Sequence, residues 1–242
     1  MNNRAVIPWL MKQCVAAESR WGRAHLNAHT RFLRWTWRGR MAGREWSKRV
    51  FDIVVSSAFL CAFSPILLLV AILVKLEDGG PVFFRQTRVG RFGREFKMFK
   101  FRSMCPDAEA RLKEVLAKNQ HTEGVTFKLK SDPRLTRVGK WLRRLSLDEV
   151  PQFYNILRGE MSVVGPRPPV PREVACYSLA DRRRLAVKPG LTCLWQVNGR
   201  SEIDFSGQVK LDVEYIETQG FWADVIILIR TVPAVLSGRG AC

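Results

Sequence analysis

The stretch Val50–Val74, VFDIVVSSAFLCAFSPILLLVAILV, decides what kind of protein this is. Its 25 residues carry one charge, Asp52, close to the leading edge. At ~1.5 Å rise per residue, a straight helix of that length crosses the ~30 Å hydrocarbon core of a bilayer. Ser64-Pro65 falls near its middle. A proline inside a helix removes one hydrogen bond and crowds the preceding turn, so the spacing predicts a bend, with the serine hydroxyl satisfying a freed carbonyl. Both flanks are basic: Lys48-Arg49 before, and Lys75, Arg85, Arg88 and Arg91 after. A spanning helix usually carries its positive flank on one side. Symmetric flanks favour a helix–break–helix that enters the membrane and returns to the same face. A spanning helix and the core helix of a soluble protein are the alternatives.

Upstream of this stretch, residues 1–49 hold 11 Lys/Arg against two acids, Glu18 and Glu45, about half of the +18 net charge of the 242-residue chain. Trp9, Trp21, Trp35, Trp37 and Trp46 are interleaved with those charges. Indole rings and snorkelling arginines favour a water–lipid interface, so the segment is expected to be a peripheral basic-aromatic arm; a partly disordered basic tail is the alternative. No apolar run precedes a small-residue cleavage site, so the segment is not expected to be a secretory signal.

The whole chain sets 40 Lys+Arg against 22 Asp+Glu, with a pI near 10.4. That excess calls for an anionic partner: nucleic acid, a membrane surface or a phosphorylated substrate. A hydrophobic share of 47% and only six scattered cysteines exclude acidic disordered, collagen-like and disulfide-framework classes. With no C-x-x-C pair, no zinc or redox motif is written here, and a reducing, cytosol-facing environment is expected. His25 and His29 have i,i+4 spacing but no acidic or cysteine companion, so a solvated helix face is preferred to a metal site.

Downstream, the turn Asp78-Gly79-Gly80-Pro81 leads into two strand-like runs, Val82–Val89 and Glu95–Met104, separated by Gly90-Arg91-Phe92-Gly93. This predicts a hairpin dense in Phe and basic residues. A helix is expected from Pro106 to about Lys118, then a polar loop over 119–134 with a short strand at Thr126–Leu129. Val138–Leu145 and Glu149–Leu157 are expected as helices, the second closed by Gly159. Val163–Pro171 holds four prolines and is expected to be a rigid loop. Amphipathic helices around Val209–Thr218 and Trp222–Leu236 end the chain.

The sharpest chemical feature is Ser146-Leu147-Asp148-Glu149-Val150-Pro151-Gln152. Pro151 must lie in a first turn, which makes Asp148 an N-cap or first-turn residue at the positive end of a helix dipole, where its carboxylate stays ionised. Ser146-x-x-Glu149 is equally a capping-box pattern that serves stability alone. Arg143 and Arg144 precede the acids, Arg167 sits in Pro166-Arg167-Pro168, and Lys100 and Arg102 lie on one predicted strand. Carboxylates amid cations suit diphosphate chemistry with a divalent metal: acids hold Mg²⁺ and Arg pairs with phosphate oxygens. An ionised Asp could instead attack phosphorus and form an acyl-phosphate. Structural ion pairs would also account for the cluster.

Together, Lys48-Arg49-x-x-Asp52, Ser64-Pro65, Gly80-Pro81-Val82-Phe83-Phe84-Arg85-Gln86, Lys100-Phe101-Arg102-Ser103-Met104, Ser146-Leu147-Asp148-Glu149-x-Pro151-Gln152, Ser162-Val163-Val164-Gly165-Pro166-Arg167-Pro168 and Lys188-Pro189-Gly190-Leu191-Thr192 resemble the bacterial sugar transferase family. These are monotopic polyprenyl-phosphate hexose-1-phosphate transferases, which begin exopolysaccharide, O-antigen and related glycan assembly. The resemblance runs from about Lys48 to the C-terminus.

Behind the basic arm over 1–47, which is a departure from the family pattern, the resemblance implies an α+β, mostly helical fold: a re-entrant membrane helix over 48–77 with its kink at Ser64 and Pro65, and a catalytic domain over 78–242 with a small hairpin and interfacial helices. It implies attack by Asp148 on the β-phosphate of a UDP-sugar, release of UMP, and transfer to undecaprenyl phosphate at the cytoplasmic face of the inner membrane. Asp148 and Glu149 would share Mg²⁺. Lys100, Arg102, Arg143, Arg144, Pro166, Arg167 and Pro168 would line the donor site. Trp195-Gln196-Val197-Asn198-Gly199-Arg200 and Leu211-Asp212 look like members using UDP-glucose or UDP-galactose. Inner-membrane lipids are expected partners, nucleic acid is not, and a homodimer is left open. The rival classes are a basic nucleic-acid-binding protein, which has no use for Val50–Val74, and a membrane scaffold with lost chemistry, against which the intact acidic pair argues.

Overall fold

The computed structural model describes residues 19–108, 110, 133–199 and 203–236. The first 18 residues of the arm, most of the helix expected from Pro106 to Lys118, all but the last two residues of the polar loop over 119–134 and the strand Thr126–Leu129 lie outside the described residues. The chain divides into two compact units, Met1–Ser47 and Lys48–Cys242. In the first, residues 20–47 are helical.

The longest element is α1, Arg20–Asp78, with Pro65 inside it. Pro65 does not interrupt the helix. The carbonyl four residues back, that of Cys61, has no amide to accept from, and Ser64 Oγ donates to it at 2.9 Å. The helix is thus continuous where a break was expected. The apolar part is long enough, and at a mean hydropathy of 2.6 apolar enough, to cross a membrane, yet only 11% of that window is buried. The core helix of a soluble protein would be mostly covered, so that alternative is set aside.

Within the second unit, α1 is fastened on both sides of Pro65. Near its start, the fully buried Asp52 accepts from Ser162 Oγ and from the Val163 amide, each at 2.9 Å. Lys48 Nζ donates to Asp224 Oδ2 at 2.6 Å and to Val164 O at 3.0 Å. Arg49 caps the carbonyls of Ile156 and Leu157, each at 2.5 Å. Near its end, Glu77 Oε1 accepts from the amides of Arg137 and Val138 at 2.7 and 3.2 Å. Phe59 stacks on Phe153 with centroids 4.5 Å apart, and Val70 and Val74 pack with Phe101 and Leu142.

The remaining elements follow the sequence expectations in outline. Strands β1, Phe83–Val89, and β2, Glu95–Phe101, form the antiparallel hairpin, in register from Phe83↔Phe101 to Val89↔Glu95. Helix α2 is Arg137–Arg144, with Thr136 Oγ1 accepting from the Gly139 amide as its N-cap. The expected helix Glu149–Leu157 is two pieces: a 3₁₀ turn at Leu147–Glu149 and α3, Gln152–Arg158, closed by Gly159 at φ 81°. The proline-rich segment is not all loop. Ser162–Val164 is a strand, β3, and α4 is Pro171–Ala175. β3 pairs in parallel with β4, Gly190–Thr192. A 3₁₀ turn at Asp181–Ala186, then α5, Leu194–Asn198, α6, Phe205–Thr218, and α7, Phe221–Leu236, complete the described chain.

The core gathers Met98, Val150, Phe153, Ile156, Met161, Val163, Val164, Tyr215 and Ile227, with Phe51, Val55, Phe59 and Leu60 of α1 packed against it. Burying each large apolar side chain contributes roughly 1.5–3 kcal/mol. Asn155, wholly buried, ties α3 to the hairpin by accepting from the Phe99 amide at 3.0 Å and donating to Lys97 O at 2.8 Å. The opposite face of α1 leaves Val54, Leu68, Leu69 and Leu76 exposed, and α7 leaves Phe221, Trp222, Ile229 and Val232 exposed. Apolar surface on this scale marks a face that meets something other than water.

Candidate active site

Asp148 and Glu149 lie on the 3₁₀ turn between α2 and α3, and Lys100 reaches them from β2. Lys100 Nζ is 2.6 Å from Glu149 Oε1 and 3.9 Å from Asp148 Oδ2. The turn is sharp because Ser146 adopts a left-handed conformation, φ 55°, while Val150 is anchored in the core. A non-glycine residue at positive φ is uncommon and costs strain, which the surrounding packing holds in place.

This geometry corrects two expectations. Ser146 makes no side-chain cap hydrogen bond, and the Glu149 carboxylate turns to Lys100, so the capping box does not form. Nor is Asp148 held ionised by a helix dipole: α3 begins only at Gln152. Burial instead raises Asp148 to about 6, against the lowering charges of Lys100 and Arg143. Burial also opposes ionisation of Glu149, but Lys100, Arg167 and Arg88 outweigh it and bring Glu149 below the usual carboxylate range. Two adjacent acids are thereby pushed apart in acidity, as expected where carboxylates take different chemical tasks.

The cations around the dyad come from three separate elements. Arg143 of α2 donates Nε to Ser103 Oγ at 3.1 Å. Arg167 is exposed in a loop whose prolines, Pro166 and Pro168, are buried. That loop is pinned by backbone bonds, Gly190 N to Pro166 O at 2.8 Å and Val89 N to Pro169 O at 2.9 Å.

A further pin is Arg88 of β1, which donates Nη1 to Pro168 O at 2.8 Å and Nη2 to Gln86 Oε1 at 2.6 Å. Its burial, with Arg167 nearby, lowers its pKa to about 10. The sequence treated Arg88 only as flanking charge. The available signal was its i,i+2 relation to Gln86 on a strand, which places both side chains on one face.

Arg102 and Arg144 are not brought to the dyad. Arg102 is buried, forms a two-pronged pair with Asp78 and donates Nε to Pro81 O at 2.6 Å. It fastens the end of α1 to the hairpin. Arg144 is exposed, its guanidinium 5.7 Å from the Trp141 ring centroid. Arg102→Lys, which keeps the charge but loses the fork, is expected to lower the melting temperature by several degrees. Its KM should stay within about twofold of wild type, because the guanidinium serves structure. Steady-state kinetics beside a thermal melt check this; a large KM change at unchanged stability would return Arg102 to the site.

Among the described residues no group of three or more His, Cys, Asp and Glu side chains could cage a metal. The dyad offers two carboxylates. That suits Mg²⁺, which commonly takes one or two protein carboxylates and completes its shell with water and substrate phosphate oxygens.

The sequence profile described as bacterial sugar transferase matches residues 43–238. Over 198 residues, 81% of this chain, the sequence is 48% identical to the galactosyl transferase CpsE of Streptococcus agalactiae serotype III, covering 43% of that protein. It is 44% identical over 198 residues to the exopolysaccharide production protein ExoY of Rhizobium meliloti, covering 88% of it. It is 43% identical over 197 residues to the undecaprenyl-phosphate galactose phosphotransferase of Salmonella typhimurium, covering 41% of it. The chain therefore spans less than half of the first and third relatives and most of the second. With nearly all of Lys48–Cys242 inside the match and the Asp148-Glu149 pair set against Lys100, the chain belongs to the bacterial sugar transferase family.

Proposed function

We propose that this chain transfers hexose-1-phosphate from a UDP-sugar, UDP-glucose or UDP-galactose, to undecaprenyl phosphate, releasing UMP, as the first membrane step of exopolysaccharide-type glycan assembly. The observation that carries this is the Asp148-Glu149 dyad set against Lys100, 2.6 Å from Glu149 and 3.9 Å from Asp148, with the charges of Arg143 and Arg167 acting on it. The names of the Streptococcus, Salmonella and Komagataeibacter xylinus relatives, a galactosyl transferase and undecaprenyl-phosphate galactose and glucose phosphotransferases, support the substrate classes.

The Asp148 carboxylate attacks the β-phosphorus of the donor. A bond from Asp148 oxygen to phosphorus forms, the bridging P–O bond breaks, and UMP leaves with that electron pair. A phosphate oxygen of the lipid then attacks the same phosphorus, the acyl-phosphate bond breaks, and Asp148 returns as carboxylate. No net proton is gained or lost. Lys100, Arg143 and Arg167 bind the phosphate oxygens, and Glu149 keeps Lys100 oriented. Asp148 and Glu149 would also hold Mg²⁺, which when bound offsets the mutual repulsion of anionic nucleophile and donor.

The membrane reading is monotopic, at the cytoplasmic face of the inner membrane. A helix from Lys48 to Asp78 would be about 45 Å long if straight, yet Asp52 at one end and Glu77 at the other both bond to the same unit. That arrangement supports a helix held along one face of that unit rather than one that spans. Single cysteines replacing Lys48 and Lys75, in a background without reactive native cysteines, are expected to label from the same side. Pro65→Ala should raise the spanning fraction. Labelling of the two positions from opposite sides would overturn the topology.

The function is tested with a panel of UDP-sugars, undecaprenyl phosphate and Mg²⁺, scored by UMP release. Release with UDP-glucose or UDP-galactose is expected. Lipid-independent inertness toward every UDP-sugar, with tight binding to DNA instead, would favour the nucleic-acid alternative.

A further inference from the structure

Residues 20–47, the N-terminal part of α1, belong to the unit Met1–Ser47; the family match reaches only residues 43–47 of it, and nothing in the chemistry above uses it. Trp21, Phe32, Trp35 and Trp46 are 88%, 60%, 72% and 72% exposed. Their placement is ordered. At 100° per residue these four positions fall within an arc of about 60°. Ala24, Ala28, Gly39 and Ala42 fill the same stripe, so its spacing is 3, 4, 4, 3, 4, 3, 4 from Trp21 to Trp46. Arg20, Arg23, Arg31 and Arg34 turn about 80–160° away from Trp21, along one flank. Residues 20–47 contain seven arginines and one acid, Glu45.

We infer that this helix is a separate membrane-surface element whose aromatic stripe sinks into the interface of an anionic bilayer while its flanking arginines meet lipid phosphates. The occupant follows from charge. A second copy of the chain could also cover an aromatic stripe, but it would bring the same arginines against the same arginines. A zwitterionic surface would accept the indoles and leave the charge unanswered. An anionic lipid surface, of phosphatidylglycerol type, satisfies both features. Tryptophan rather than leucine in the stripe fits the headgroup boundary, where an apolar ring with one polar N–H is at home. The assignment does not depend on the transferase chemistry, so its test and that of the catalytic reading are independent.

The test is amide hydrogen exchange of the full chain in nanodiscs of phosphatidylcholine alone or with a third phosphatidylglycerol. Amides of 20–47 are expected to exchange at least tenfold more slowly in the anionic discs and to lose that protection at high salt. Trp21→Ala, Phe32→Ala, Trp35→Ala and Trp46→Ala combined should abolish the difference while the 48–236 amides stay as in wild type. Arg23→Gln, Arg31→Gln and Arg34→Gln combined should weaken it in anionic discs only. Equal exchange in both lipids would overturn the proposal. So would protection that survives the aromatic replacements, that rises with protein concentration, or that appears on adding duplex DNA in place of anionic lipid.

Discussion

Asp148→Asn is expected to reduce UMP release by ~10⁴-fold or more, the scale seen when a catalytic nucleophile is removed. Asn is nearly isosteric with Asp, so the turn at Ser146 and the anchor at Val150 should be untouched. What is lost is an oxygen able to form an acyl-phosphate. The same replacement removes a carboxylate whose burial raises it to about 6, so the melting temperature should hold or rise. Glu149→Gln should be milder, about 10²–10³-fold, because it weakens orientation and charge around Lys100 without removing the attacking atom. Asp148→Asn retaining more than a few per cent of wild-type turnover would contradict the assigned role.

Gly190→Ala is expected to cause a large loss by a different route. A Cβ at this position would sit 2.1 Å from the Gly165 amide nitrogen, 2.5 Å from its oxygen and 2.7 Å from its Cα. Those are backbone atoms that no rotamer change can move aside. Strands β3 and β4 must separate, and with them go the bonds from Gly190 N to Pro166 O and from Gly165 N to Thr192 O. The Pro166-Arg167-Pro168 loop then loses its floor and Arg167 its position. Overpacking typically costs ~1–3 kcal/mol, and a backbone-to-backbone clash belongs at or above the upper end. Thermal melts should show a clear drop, and UMP release should fall at least 100-fold. Gly43→Ala, in the interior of α1 where a Cβ meets nothing within 4 Å, is the control and should leave turnover unchanged and the melting temperature unchanged or slightly higher. A Gly190→Ala chain with wild-type melting and turnover would mean that the close approach of the two strands is not required.

Much of this arrangement was legible from local pattern. The apolar run, the Phe-rich hairpin, α2 and the two C-terminal helices each carry a periodicity or turn that short windows reveal. The Ser64 hydroxyl on the Cys61 carbonyl follows directly from placing serine before a helical proline. What local pattern missed depends on partners far away in sequence. β3 and β4 are three residues each, embedded among prolines, and exist because they pair with one another. The Ser146-x-x-Glu149 box fails because Lys100, 49 residues upstream of Glu149, takes the carboxylate.

Arg102 and Arg88 exchanged their expected parts for a related reason. Both are cations on the hairpin, and only the three-dimensional placement of Asp78 and of the Pro168 carbonyl separates the clamp at the end of α1 from the pin beneath the Pro166-Arg167-Pro168 loop. The dyad stood out in the Ser146–Gln152 stretch itself, and the resemblance to a known family implied a chemistry for it. The residues that hold the dyad's surroundings in place, Asp52, Lys48 and Arg88, became assignable only when their partners were in view.

The most direct test of the two-step chemistry mixes the full chain with UDP-glucose or UDP-galactose labelled at the β-phosphate, in the absence of undecaprenyl phosphate. The covalent route predicts stoichiometric label on the peptide containing Asp148, cleavable by hydroxylamine, with an equal burst of UMP and discharge when the lipid phosphate is added. No label and no UMP until the lipid is present would mean direct transfer between the substrates and would contradict Asp148 as the nucleophile.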